Sequence, residues 1–228
     1  MCLAEDILVA ALLKPPGLLT VRIPTQDEEQ NIFRSGYSRI AGVDEVGRGP
    51  IAGPVVAGAV ILPVFFENQI KNIELIRDSK TLTRKQLIQA DQLVRDIAMS
   101  VGIGQVSNKE IDEIGIAPAV QKAMRYALDN LSISPDHILS DAFLVDWHNR
   151  PCKAIIKGDS LCTAISAASI VAKVYRDQLM ETFDGQYPGY GFSSHKGYAS
   201  SEHLEIVSQK GATPIHRLSF SPFKPRMF

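Results

Sequence analysis

Residues 40–62 read IAGVDEVGRGPIAGPVVAGAVIL, and this stretch decides the fold. A short apolar run delivers two adjacent carboxylates, Asp44 and Glu45, into a Gly47-Arg48-Gly49-Pro50 turn, and a second apolar run, Val55 to Leu62, follows at once. Two such runs joined by a tight Gly/Pro-rich turn predict antiparallel strands over Arg39–Asp44 and Val55–Leu62. Ionised carboxylates at the end of a core strand are costly unless a cation compensates them, so arginine or metal must be close. Neighbouring side chains of a strand point to opposite faces. The two acids can therefore share one site only where the strand ends and the backbone turns, which the following glycines allow. A pair of solvated acids at a strand end is the plain alternative.

Outward from this hairpin the pattern stays regular. Thr83–Ala98 has helical periodicity, Ser100–Val106 reads as a third strand, Asn108 as the N-cap of a short helix, and Ala117–Leu131 as a further helix. His137–Ser140 and Ala154–Ile156 are short β segments leading to Asp141 and to Lys157-Gly158-Asp159. Cys162–Phe183 is the longest helical segment, and its first half is nearly all small residues (Ala164, Ser166, Ala167, Ala168, Ser169, Ala172), as suits a buried support under a site. After Gly185 the chain is loop-rich, with one more helix near Glu202–Gln209. Strands first, then strands alternating with helices, predict a three-layer α/β domain with a mixed sheet. Residues 1–35 read as an extension holding a short helix at Ile7–Leu13, a Pro15-Pro16-Gly17 break and a polar patch at Gln26–Gln30; residues 36–228 read as the domain itself.

The bulk numbers fit one such domain. The chain has 228 residues, 45% of them apolar, enough for a full core. Net charge is −1, so no global basic field announces nucleic acid, yet from His195 to Phe228 five Lys or Arg face two Glu, a local +3. Three cysteines without CxxC spacing argue against a disulfide framework or a zinc site and fit a reducing cytosol. Glu5 and Asp6 precede the apolar Ile7–Leu13 where a signal peptide needs positive charge, and no run approaches the roughly 18 apolar residues of a membrane span. A cytoplasmic, monomeric protein is expected.

Two further acids sharpen the chemistry. Asp141 closes the run Ile138-Leu139, with Asp146 as its rival, and Asp159 follows Ile155-Ile156, where it could equally cap the next helix. Carboxylates at the ends of several strands of an α/β sheet converge on one edge, where such folds place their ligands. Four clustered carboxylates need cations, and oxygen-only ligation suits Mg²⁺ or Mn²⁺. Two such ions about 4 Å apart are the device for phosphoryl transfer to water. Beside the acids, Gly47 and Gly49 let backbone amides approach a ligand, and Arg48 can bind a phosphate or sugar oxygen or simply pair with Glu45. No Gly-Lys-Ser/Thr follows, so this is no nucleotide-triphosphate loop.

Six blocks in order resemble ribonuclease HII, the bacterial type 2 ribonuclease H: Asp44–Pro50, Asp78-Ser79-Lys80-Thr81-Leu82-Thr83, Lys157-Gly158-Asp159, Ala167–Val174, His195-Lys196-Gly197-Tyr198 and His216-Arg217-Leu218-Ser219-Phe220. The resemblance covers about residues 38–225. It implies a ribonuclease H-like fold, with a central mixed sheet flanked by helices and a C-terminal helical and loop segment that binds substrate. It also implies an endonuclease cutting RNA paired with DNA, or a lone ribonucleotide in duplex DNA, to leave 5′-phosphate and 3′-hydroxyl ends. Asp44, Glu45, Asp141 and Asp159 would be the catalytic carboxylates holding two Mn²⁺ or Mg²⁺ ions. Gly47, Arg48 and Gly49 would read the ribose 2′-hydroxyl through backbone groups. Tyr198 would stack on the deoxyribose after the ribonucleotide, unless it merely anchors its loop. Lys80, Ser169, Lys173 and Lys196 would contact phosphates.

Residues 1–35 match nothing in that family's shared core and are too short for the extra domain of the sister ribonuclease HIII family, whose Gly-rich turn lacks the arginine. Ala199 stands where the family pattern has Gly. Another nuclease of the same fold would share the acids without needing a 2′-hydroxyl reader. A non-catalytic hybrid-binding protein would gain nothing from four acids beside phosphates.

Overall fold

The protein is described from a computed structural model covering residues 23–65 and 70–223. The expected helix at Ile7–Leu13, the Pro15-Pro16-Gly17 break, Lys224 and Arg226 lie outside these residues. Strand β1 (Ile40–Val46) pairs antiparallel with β2 (Val55–Ile61), placing Asp44 opposite Gly58 and Glu45 opposite Ala57. On its far side β2 pairs antiparallel with β3 (Ser100–Val106). β1 pairs parallel with β4 (His137–Asp141), and β4 parallel with β5 (Cys152–Ile155), so the mixed sheet runs β3-β2-β1-β4-β5. β1 and β2 are covered on both faces, which is why their sequences are continuous apolar runs rather than alternations.

Helix α4 (Ile116–Asp129) covers one face of the sheet and α5 (Thr163–Gln186) the other, with α2 (Arg84–Ile97) laid against α5. The small residues of α5 meet glycines in the sheet. A Cβ on Gly42 would stand 2.1 Å from the Ala164 carbonyl carbon, and one on Gly58 would stand 2.4 Å from the Ala168 oxygen. Such contact requires glycine on one side and Ala or Ser on the other, and it brings α5 directly beneath the end of β1.

Local signals set most boundaries. Thr83 and Gln86 form a reciprocal capping box at the start of α2. The cap of α3 (Asn108–Ile114) is Ser107, whose hydroxyl accepts from the Glu110 amide, rather than Asn108. Asn108 instead donates its side-chain amide to the carbonyls of Pro214 and His216, a distant partner that outcompetes the local one. The polar patch after Thr25 forms a helix, α1 (Asp27–Arg34). Its Ile32 packs with Ile40, Leu139 and Ile165, and Glu29 accepts from the Ala164 amide at 2.7 Å. After α5 come a single-turn helix, α6 (Phe192–His195), and α7 (Ser201–Lys210). Among the described residues no helix is long and apolar enough to cross a membrane.

Candidate active site

The ladder between β1 and β2 continues to Val46 opposite Val56, so the strand does not end between the two acids as the glycines had led us to expect. Asp44 and Glu45 therefore leave the strand on opposite faces, yet at the sheet edge each still feels the Asp141 charge, and Asp44 feels that of Glu45, so both border one site. Asp44 is only 5% exposed and reaches toward α5, where Ser169 acts to lower its pKa, and its Oδ1 accepts from the Glu45 amide at 2.7 Å. Glu45 turns toward the α4 side and accepts from Arg48 Nη1 at 3.3 Å, and the Arg48 guanidinium lies 4.8 Å above the Phe143 ring.

The other two acids join them by different routes. Val43 is paired with Ser140 in the parallel ladder, so the next residue of β4, Asp141, emerges beside Asp44. Its Oδ1 accepts from the Gly158 amide at 2.8 Å. Asp146, the rival, sits exposed in the following loop. Asp159 lies buried in the single turn Gly158–Ser160, while Cys162 occupies the N-cap position of α5, so Asp159 is no helix cap. Lys80 Nζ donates to Asp159 Oδ2 at 3.1 Å. The Asp78–Thr83 block explains that reach: Asp78 caps a tight turn by accepting from the Lys80 amide, and Ser79 Oγ lies 3.1 Å from Ser169 Oγ, pinning the turn to α5.

Burial raises the Asp44 carboxyl well above its usual range, with repulsion from Glu45 and Asp141 adding to it. Burial also raises Glu45, only partly offset by Arg48, and raises Asp141, which Asp159 pushes further. Four carboxylates thus face two cations, Arg48 and Lys80, and Glu45 Oε2 is buried without a hydrogen-bond partner. An all-oxygen donor set short of positive charge fits a hard divalent ion. Among the described residues no three Asp, Glu, His or Cys side chains are gathered closely enough to enclose an ion. Each acid is instead held by its own donor: the Glu45 amide for Asp44, Arg48 for Glu45, the Gly158 amide for Asp141 and Lys80 for Asp159.

The Gly47–Pro54 turn is built on two fully buried arginines, Arg176 and Arg217, so Arg217 adds nothing to an exposed basic face at the C-terminus. Arg217 donates to the carbonyls of Gly47 (2.6 Å), Arg48 (3.0 Å) and Gly53 (2.9 Å). Arg176 donates to Pro54 (3.1 Å), Ala52 (3.2 Å) and Lys196 (3.0 Å). Carbonyls and following amides of a trans peptide point in opposite directions. Holding the Gly47 and Arg48 carbonyls inward therefore turns the amides of Arg48 and Gly49 outward. Gly47 needs to be glycine twice over, since its φ is +90° and a Cβ would lie 2.3 Å from Arg176 Nε.

Tyr198 is 48% exposed and lies against this turn, with its Cε1 3.6 Å from where a Cβ of Gly49 would be. The Ile51 amide donates to the Gly197 carbonyl, which ties the two loops together. The phosphate-contact residues are placed less openly. Lys80 is exposed at the site mouth, whereas Ser169 is buried between Ser79 and Asp44. Lys173 is paired with Asp177 at 2.6 Å and Lys196 with Glu181 at 2.9 Å, so a phosphate reaching either must displace a carboxylate.

Behind Tyr198 lies an aromatic cluster of His195, His203, His216, Tyr190 and Phe192. Burial, then the neighbouring histidines, pushes His216 down to about 4 and lowers His203. Their folded values lie below the ordinary one, so the stability they contribute is complete above pH 6.5 and is lost as pH falls toward 4. For His216 the displacement from 6.5 to about 4 is worth up to about 3 kcal/mol. In the folded protein, the His216 ring resonances should titrate near pH 4; a midpoint near 6.5 would contradict its burial.

A profile of the family described as Ribonuclease HII matches residues 41–222. A ribonuclease HII of Dehalococcoides mccartyi (strain BAV1) is 44% identical over 205 residues, covering 90% of this chain and 96% of that protein. Among solved structures, the ribonuclease H2 of Pyrococcus horikoshii OT3 superposes with a TM-score of 0.69 at 30% identity, over 81% of this chain and 95% of that one. Bst-RNase HIII in complex with Mn²⁺ shares the fold with a TM-score of 0.64 at 18% identity, over 87% of this chain and 72% of that one.

Proposed function

Because the chain belongs to the ribonuclease HII family, we propose that the acids at the end of β1 and β4, the Gly47–Gly49 turn and Tyr198 form one catalytic centre. The protein is an endoribonuclease acting on RNA in RNA–DNA hybrids, and in this reading it also cuts at single ribonucleotides embedded in duplex DNA. Residues 36–228 are the catalytic unit, and residues 1–35 are an extension of which α1 is docked on it.

The observation that carries the reading is the contact between the outward-facing turn and Tyr198, beside a carboxylate cluster short of cations. Asp44, Glu45, Asp141 and Asp159 would hold two divalent cations, Mn²⁺ or Mg²⁺. Such cations supply Lewis acidity to a phosphodiester and offset the charge that builds up on it. The chain's own residues select the bond. The amides of Arg48 and Gly49, fixed outward, present donors to a ribose 2′-hydroxyl, which deoxyribose lacks. The Tyr198 ring offers an apolar face to the next sugar and so prefers a ribonucleotide followed by deoxyribonucleotide. Asp44 and Asp141 stand side by side on neighbouring parallel strands. Asp159 and Lys80 close the opposite side. Water attacks the phosphate on the 5′ side of the ribonucleotide, leaving a 5′-phosphate and a 3′-hydroxyl.

The test is cleavage of three duplexes (all-DNA, one embedded ribonucleotide, long hybrid) with Mg²⁺, Mn²⁺ or chelator. Metal-dependent cutting of the last two only is expected, and cutting of the all-DNA duplex at a comparable rate would sink the 2′-hydroxyl reading. Tyr198→Ala should lower single-ribonucleotide cleavage about 10-fold more than hybrid cleavage, which is about 1.4 kcal/mol of differential binding. Equal losses would remove the junction role from Tyr198.

A further inference from the structure

We infer that His216 and His203 form a one-directional hydrogen-bond chain that positions Tyr198 for its substrate. This rests on the reading of Tyr198 given above, and it concerns groups that the reaction itself does not use. The chain begins at the Thr213 amide, which donates to His216 Nδ1 at 2.8 Å. A backbone N–H can only donate, so that nitrogen is bare and the ring proton of neutral His216 is on Nε2. His216 Nε2 lies 3.1 Å from His203 Nε2. His203 must accept there and carry its own proton on Nδ1, which lies 2.8 Å from the Tyr198 carbonyl and donates to it. Each proton position is thus fixed by the one before it.

The chain is enclosed and braced. His203 and His216 are buried, and the His195 ring stacks on His203 at 4.0 Å. Phe192 meets both rings, and Phe223 meets His216 edge-on. His195 is set by the same logic: its Nδ1 accepts from the Gly197 amide at 3.1 Å, and its Nε2 faces the Tyr190 carbonyl at 2.8 Å. The residues on both sides of the Tyr198 peptide are therefore anchored by imidazoles. The charged groups around the cluster are Asp184 on α5, Glu202 on α7, whose carboxylate borders Gly191 on the same side as His195 Nε2, Lys210 over the Tyr190 ring, and Arg217, whose guanidinium turns away into the Gly47 turn. None of them is a counter-ion for His203 or His216. Thr213 Oγ1 also lies 2.8 Å from His216 Nδ1, but a proton added at that nitrogen would still face the Thr213 N–H, and one added to His203 Nε2 would face the His216 N–H. The chain holds only while both rings are neutral.

His216 also links the two halves of the specificity surface. It pairs with Ala52 in an isolated antiparallel bridge just after the Gly47–Gly49 turn, and the next residue, Arg217, holds that turn's carbonyls. The ribose-reading amides and the Tyr198 ring are consequently set by adjacent residues of one segment.

The test uses the full chain. Histidine ¹⁵N correlation spectra of the wild type should show His216 protonated on Nε2 and His203 on Nδ1; the reverse tautomers would overturn the chain. His203→Phe fills the ring's space without the donor, and it should reproduce the Tyr198→Ala substrate profile, an about 10-fold loss in kcat on the single-ribonucleotide duplex beyond that on the long hybrid. His203→Asn, whose amide nitrogen can take the place of Nδ1, should recover most of it. A His203→Phe profile unlike that of Tyr198→Ala, or a His203→Asn as impaired as His203→Phe, would refute the positioning role. Failure of the Tyr198 reading itself shows separately, as a Tyr198→Ala profile matching the wild type.

Discussion

Asp44→Asn should lower kcat on hybrid and single-ribonucleotide substrates by about 10³-fold or more, equivalent to ~4 kcal/mol of barrier. The same substitution should raise the Tm of the metal-free protein. The two effects have one cause. Asp44 is buried, and Glu45 and Asp141 repel its charge, so its carboxyl is held above the usual range. A carboxylate with a raised folded pKa works against folding at any pH above its ordinary titration range, and cancelling the charge returns that stability at neutral pH. Asparagine is nearly isosteric and keeps an oxygen for the Glu45 amide, so little packing is lost. A gain of about 1–2 kcal/mol would move Tm by ~2–8 °C in a domain of this size. Mn²⁺ should then stabilise the wild type more than the variant, because the wild type alone still has the charge to be offset. Thermal melts with and without Mn²⁺, beside single-turnover assays, measure all three quantities. A variant that is less stable without metal, or that cuts at the wild-type rate, would remove Asp44 from the centre.

The legibility of this site in the sequence follows the range of the interactions involved. The hairpin, the short strands before Asp141 and Asp159 and the small-residue helix were readable because apolar runs, turns and periodicity fix each of them locally, whereas the parallel pairing of β1 with β4 joins distant segments. Asp141 over Asp146 and Asp159 over a helix cap were distinguishable only in part, since which acid reaches the edge depends on register between β1 and β4. The opposite facing of Asp44 and Glu45 was missed. The glycines marked the turn correctly, but pairing with β2 carries the ladder two residues past Asp44. The largest gap was Arg176 and Arg217. Arg176 stands seven residues after Ser169 and four after Ala172, on the buried stripe of α5, and an arginine at that spacing among small residues was a usable signal. No comparable pattern surrounds Arg217, whose partners lie some 164 to 170 residues away. Asn108 failed for the same reason, its partners being residues 214 and 216 rather than its own helix.

Arg217→Lys should cost stability and, separately, the chemistry of the folded fraction. Lysine cannot span three carbonyls set around a planar fork, so at least one of Gly47, Arg48 and Gly53 is left buried and unpaired. Each such carbonyl costs about 1–3 kcal/mol, and a total loss of about 2–4 kcal/mol is expected. The catalytic consequence comes from the peptide planes. Freed from the guanidinium, the Gly47–Arg48 and Arg48–Gly49 peptides can rotate, and the outward amides lose their fixed aim at the ribose. Asp44, Asp141 and Asp159 are supported outside this turn, by the Glu45 amide, the Gly158 amide and Lys80, and keep their places, while Glu45 loses only the aim of its Arg48 partner. At a temperature where the variant is fully folded, kcat on the single-ribonucleotide duplex should fall about 100-fold, ~2.7 kcal/mol, while calorimetric Mn²⁺ binding stays within about twofold of the wild type. A purely structural role for Arg217 predicts otherwise: once the unfolded fraction is subtracted, the remaining protein would cut at the wild-type rate, and the turn would not depend on its buried arginine for its aim.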